Sequence, residues 1–275
     1  MSRPSSDLWA LAMAFLLVIG FTFSDDVVEF LLDATGQSRL AASGRQWLVL
    51  LVDLLLVMAT AALKWKISGR AFSRWWAVGA GLVIGSHLVL ILTSEHRAGL
   101  GDIASVGINL AASAVFVTAM AVLLVSALSE GTTSRGWIVP LAVGTFAVQV
   151  ASALWYPVIN TEGGCAGEVS PAFFSDMNNI NVVLMLTIAL ELNYVRRNAS
   201  DGDPGRRAAP VFTVLLMCIA LALAFTMLVK ADADPRCGVA AVWHEYISFV
   251  VNVQSLAIGL ATVVWLLLVG ATENT

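Results

Sequence analysis

Long uninterrupted apolar runs alternate with short polar segments along this chain, and the runs cover 8–23, 47–64, 75–93, 104–128, 136–157, 177–195, 209–229 and 246–270. Their lengths of roughly 16 to 25 residues suit helices crossing a hydrocarbon core about 30 Å thick, whereas a membrane strand needs only about 10. None shows the period-2 alternation of a barrel strand. The pattern therefore predicts an all-α, polytopic transmembrane helical bundle of about eight spans.

Consecutive spans rise and return, which groups them into hairpins at 8-64, 75-128, 136-195 and 209-270 within a single integral membrane domain, 1-275. Aligning the returning spans places Val52-Asp53-Leu54, Ile108-Asn109-Leu110, Ile180-Asn181-Val182 and Val251-Asn252-Val253 at matching positions early in each helix. Val18-Ile19-Gly20 and Val83-Ile84-Gly85 echo one another in the rising spans. Successive polar residues are 56, 72 and 71 positions apart, so a degenerate repeat and a chance likeness among apolar strings are both open.

Between the first two runs, Val27, Val28, Phe30, Leu31 and Leu32 are interleaved with Asp26, Glu29 and Asp33, as in a short amphipathic helix. Ser24, Asp25 and Asp26 suit its positive N-terminal end and Gly36 suits its stop. The expected place is the outer membrane surface, or over the bundle as a cover. Phe23-Ser24-Asp25-Asp26 offers no small-residue cleavage site, so the first run is read as a retained span.

Composition agrees with the pattern: 59% of the residues are apolar and 12% charged, too few charges to coat a water-soluble globule. The net charge of −4 suggests no nucleic-acid-binding surface, and its distribution says more than its sum. With the N-terminus inside, Arg3, Lys64, Lys66, Arg70, Arg74, Arg135, Arg196, Arg197, Arg206 and Arg207 all lie inside. Only Arg39, Arg45, Arg97, Lys230 and Arg236 lie outside, so the positive-inside rule puts both termini in the cytoplasm. Tryptophans near the ends of the runs, among them Trp47, Trp75, Trp76, Trp137, Trp155 and Trp243, read as interfacial anchors. The expected partner is the lipid bilayer of a plasma membrane, and the excess of arginine over lysine points to a bacterial inner membrane.

On this topology Cys165 and Cys237 share the outer, oxidising face, which predicts a disulfide between them; Cys218 lies inside the seventh run. The alternative for the two loop residues is a pair of free thiols.

The remaining chemistry is intramembrane. Asp53 lies about 10 Å below the outer interface, too deep to snorkel, so it is expected to face protein or water. His87, Asn109, Gln149, Asn181 and Asn252 fall at similar depth, with Thr22, Asn178, Asn179 and Gln254 nearby, while the inner half is almost wholly apolar. Together they suggest a polar vestibule for a cation or small polar solute in the outer half of the bundle. The competing explanation is that the amides only join helices, at about 0.6 kcal/mol each. Asn178, Asn179 and Asn181 as a group also suit a cap or turn at a helix entrance. Glu191 is a second polar site: it either reaches the cytoplasmic Arg196-Arg197 or marks the inner end of a cation path.

No phosphate loop, nucleophile elbow, Cys-x-x-Cys or HExxH motif is present, so no catalytic set and no cofactor is assigned. His87, His96 and His244 are too few for a His-rich metal centre; His244-Glu245 beside Glu95-His96 reads as interfacial rather than as a metal site. Lysines occur only at span ends, which excludes retinal chemistry. A transporter- or channel-like role leads. The alternatives are a membrane sensor or accessory subunit with protein partners in the membrane, and a lipid-modifying enzyme using Asp53 or Asp25, Asp26, Glu29 and Asp102.

Overall fold

The computed structural model describes residues 4–36, 42–68, 74–94, 102–128, 138–154, 165–198, 205–229 and 237–273. Among these residues the chain is all-helical: α1 (Pro4–Thr22), α2 (Ser24–Ala34), α3 (Ala42–Ser68), α4 (Arg74–Ser94), α5 (Asp102–Leu128), α6 (Ile138–Leu154), α7 (Pro171–Asn198), α8 (Gly205–Val229) and α9 (Val239–Glu273). A helix satisfies its own backbone polar groups, which is what an apolar segment in lipid requires. Among the described residues, six stretches are long and apolar enough to cross a membrane: Ser43–Trp65, Arg74–Thr93, Gly107–Ser126, Pro171–Asn193, Ala209–Val229 and Val239–Leu268. Shorter apolar stretches, Ala12–Thr22 and Ile138–Val150, lie in α1 and α6. Large apolar side chains such as Met58, Leu92, Leu190, Phe225 and Leu268 stay exposed, as expected where lipid is the solvent. These features are those of a multi-pass membrane protein.

The chain divides into two compact units, residues 1–138 with 149–156, and 139–148 with 157–275, so that α6 contributes to both. In the first unit α1 packs on α3 and α5, α3 on α4, and α4 on α5. The chain bends at Phe23, where Thr22 Oγ1 donates back to the Val18 carbonyl at 2.6 Å and the next helix begins. That helix, α2, is the amphipathic segment expected from the sequence, with Asp25 and Asp26 in its first turn and Gly36 just beyond its end at φ +70°. Val28 and Leu32 are buried against Val49 and Val52 of α3, so α2 covers α3 one turn before Asp53, while Val27, Phe30 and Leu31 stay exposed.

The second unit is built on mutual packing of α7, α8 and α9. The part of α6 assigned to it meets α9 closely: a Cβ added to Gly144 would lie 2.6 Å from the Ile258 Cα. Only glycine permits that approach. Thr213 of α8 and Thr262 of α9 join through their hydroxyls at 2.9 Å. Near the start of α7, Phe174 packs with Ala224 and Met227 of α8.

Two helix starts differ most from the apolar runs. α7 begins at Pro171 instead of 177, and α9 at Val239 instead of 246. Ser170 supplies the reason in the first case, its hydroxyl accepting the Phe173 N–H at 3.3 Å ahead of a proline in the first turn. Asn178, Asn179 and Asn181 consequently sit inside α7, which corrects the expectation of a cap or turn there. In α9 the polar residues His244 and Glu245 interrupt the apolar pattern without interrupting the helix.

Candidate functional site

Helix α3 carries Asp53 about 9 Å along its axis beyond the exposed Trp47, and α4 brings His87 to it from the neighbouring helix. Asp53 is 0% and His87 5% exposed. Their side chains meet through His87 Nε2 and Asp53 Oδ2 at 2.6 Å, a charge-assisted hydrogen bond whenever the carboxylate is ionised. The other oxygen, Asp53 Oδ1, and the other ring nitrogen, His87 Nδ1, are buried without a hydrogen-bond partner among the described residues.

The pair's surroundings are mostly apolar. The Phe116 ring of α5 stands edge-on to the imidazole, with centroids 5.7 Å apart, and Phe21 of α1 stands edge-on to Phe116 at 5.4 Å. From α2, the buried Ser24 hydroxyl lies beside Asp53 while donating to the Phe21 carbonyl at 3.3 Å. Asp53 and Arg45 both act electrostatically on Asp25, in opposite senses. Glu29 and Arg45 form a half-exposed ion pair at 3.7 Å. Asn109 on α5 and Gln149 on α6 are half-buried.

In the second unit, Asn181 of α7 and Asn252 of α9 are both fully buried and bonded to one another, Asn181 Nδ2 donating to Asn252 Oδ1 at 3.2 Å. Ser255 Oγ donates to Asn181 Oδ1 at 3.0 Å. Asn252 Nδ2 donates to the carbonyls of Ala220 on α8 and Ser248 on α9, at 3.2 and 2.7 Å. This network ties three helices together and uses both amide hydrogens of Asn252. Sequence reading singled out the two asparagines but not Ser255, one helical turn beyond Asn252 on the same face.

At the end of this unit where α7 and α9 begin, Cys165 and Cys237 form a disulfide, 72 residues apart in sequence, as the shared compartment predicted. Beside it Glu245, 1% exposed, accepts the backbone N–H of Gly167 at 2.8 Å and of Val169 at 3.0 Å. Both its carboxylate oxygens are thus engaged with the segment preceding α7. His244 pairs instead with Thr226 at 3.0 Å. This clamp was not anticipated; the available signal was a glutamate on the far side of the cysteine from its partner loop.

Glu191 is half-buried on α7, five residues before Arg196 in the same helix. The side chains of Arg196, Arg197, Arg206 and Arg207, and the whole of Glu95-His96, lie outside the described residues. Thr60 of α3, Thr213 of α8 and Thr262 of α9 are also buried, each bonded back to a carbonyl of its own helix. Compared with known proteins, the chain matches no family model, no curated protein and no solved structure.

Proposed function

We propose that this multi-pass protein is transporter- or channel-like and that the Asp53–His87 pair of the first unit is where a cation or small polar solute is held. The proposal includes eight crossings, with α1 and α6 added to the six long apolar helices, both termini in the cytoplasm, and residence in a bacterial inner membrane. The observation that carries the functional part is the incomplete bonding of Asp53. Holding an ionisable side chain in a bilayer costs about 3 kcal/mol on insertion scales, and a residue kept only to join helices gains most when all its polar atoms are paired. Here one oxygen and one ring nitrogen are left over.

Asn109 and Gln149 are assigned to the same site, where their amides supply neutral ligands. Asn181 and Asn252 have their polar atoms largely engaged with each other, with Ser255 and with the backbone, which favours a joining role for them. Glu191 of the second unit is kept as a separate, second polar site.

The test is thermal unfolding of the purified chain across a panel of ions, amino acids and other polar solutes, compared with Asp53→Asn. A ligand at a hundred times its Kd stabilises the folded protein by about 2.7 kcal/mol. A solute that stabilises the wild type and not the variant supports the reading. A panel in which every response is the same for both proteins overturns it.

A further inference from the structure

We infer that the cation held by the Asp53–His87 pair is a single exchangeable proton, an inference that rests on the pair being the solute-holding site. The donor set decides the chemistry. Hard cations such as Ca²⁺ take six to eight oxygen ligands and Zn²⁺ about four nitrogen, sulfur or oxygen ligands. Among the described residues no group of three or more His, Cys, Asp and Glu side chains could hold a metal ion. One carboxylate and one imidazole joined by a hydrogen bond are sufficient for a proton.

The geometry leaves a place for it. With Nε2–H donating to Asp53 Oδ2 at 2.6 Å, the buried Nδ1 keeps a lone pair that no described residue uses. A proton from water adds to that lone pair and gives an imidazolium facing a carboxylate. Passage of the Nε2 proton to Oδ2 then gives a neutral imidazole facing a carboxylic acid. Only N–H and O–H bonds form or break, the pair gains one proton, and its net charge goes from −1 to 0. Reversal returns the proton to water.

The neighbouring charges fit this exchange. Asp53 and Arg45 of α3 both act electrostatically on Asp25 of α2, and the Ser24 hydroxyl lies beside the Asp53 carboxylate. The described side chains of α1 and α5 carry no charge, and Phe116 of α5 and Phe21 of α1 close the other sides.

The chain has three histidines, so the full-length protein in nanodiscs, labelled with ¹⁵N only in histidine, gives a spectrum simple enough to read each ring nitrogen. His87→Gln identifies the His87 signals by their loss. On acidification, His87 Nδ1 is expected to change from bare to protonated with a stoichiometry of one, and Asp53→Asn is expected to move that transition along the pH axis. A His87 ring whose two nitrogens keep their state throughout overturns the inference, as does a titration unchanged by Asp53→Asn. If that variant does not fold, the wild-type titration decides alone. A non-titrating His87 together with a solute response lost in Asp53→Asn removes the proton and leaves the solute site standing. A titrating His87 with no solute response does the reverse.

Discussion

In the first unit a buried carboxylate meets a buried imidazole through one hydrogen bond, and each side chain keeps a polar atom unspent. In the second, two carboxamides and a serine spend most of their donors and acceptors on one another and on backbone carbonyls of α8 and α9. The residues occupy comparable places, a few turns into helices that run on as apolar segments, yet the physical consequence differs. A satisfied network lowers the free energy of one packing arrangement and has nothing left for a ligand. A partly satisfied one leaves a donor or acceptor in a medium where its lack of a partner is costly, so a small species that fills it is bound.

The sharpest way to break this contrast is to exchange the roles. Asp53→Asn is expected to abolish every solute-dependent stabilisation, a loss of about 2.7 kcal/mol at a hundred times Kd, whereas Asn252→Ala should leave it intact. Ligand-dependent thermal shifts on both variants check this, and a response lost in Asn252→Ala instead would reverse the assignment.

Next in size is the clamp that belongs only to the second unit. Replacing Cys165 and Cys237 by serine should cost about 2–4 kcal/mol of stability, because the bridge closes a long loop. Denaturant unfolding under oxidising and reducing conditions measures it: the wild type should lose stability on reduction and the double serine variant should not respond. Glu245→Ala, which strands the Gly167 and Val169 N–H groups, should cost about 1–3 kcal/mol in the same assay. Gly144→Ala should cost a similar 1–3 kcal/mol or so by forcing α6 away from the Ile258 backbone, with the solute response of the first unit retained.

The smallest effect sharpens the contrast most finely. Asn252→Ala should lower stability by about 0.6–1.7 kcal/mol, the range for interhelical hydrogen bonds in membranes, and Ser255→Ala by less. A loss several times larger, read from the same unfolding curves, would mean that the network organises the unit and does more than join its helices.

Much of this was legible before any coordinates. The run of apolar residues over 209–229 matches the observed apolar span Ala209–Val229 because a single long apolar segment can satisfy its own backbone in lipid only as a helix. The amphipathic α2 was legible from Val28 and Leu32 recurring four apart, and the disulfide from two cysteines that the expected topology put on one face. The early start of α9 was not, since His244 and Glu245 look like loop residues until a partner for the carboxylate is known. Ser170-Pro171 did carry a start signal for α7, hidden behind a stronger hydropathy pattern.

Which polar residues lie within the apolar helices, at what depth, and in what number follow from the sequence, because hydropathy and helical rise are local properties. Which of them meet is a property of packing. Asp53 finds His87, 34 positions away, and Asn181 finds Asn252, 71 positions away, only because of how helices rotate about their axes and approach their neighbours. That rotation is set by many small contacts at once, and it alone separates a carboxylate with an open oxygen from an amide that is fully engaged.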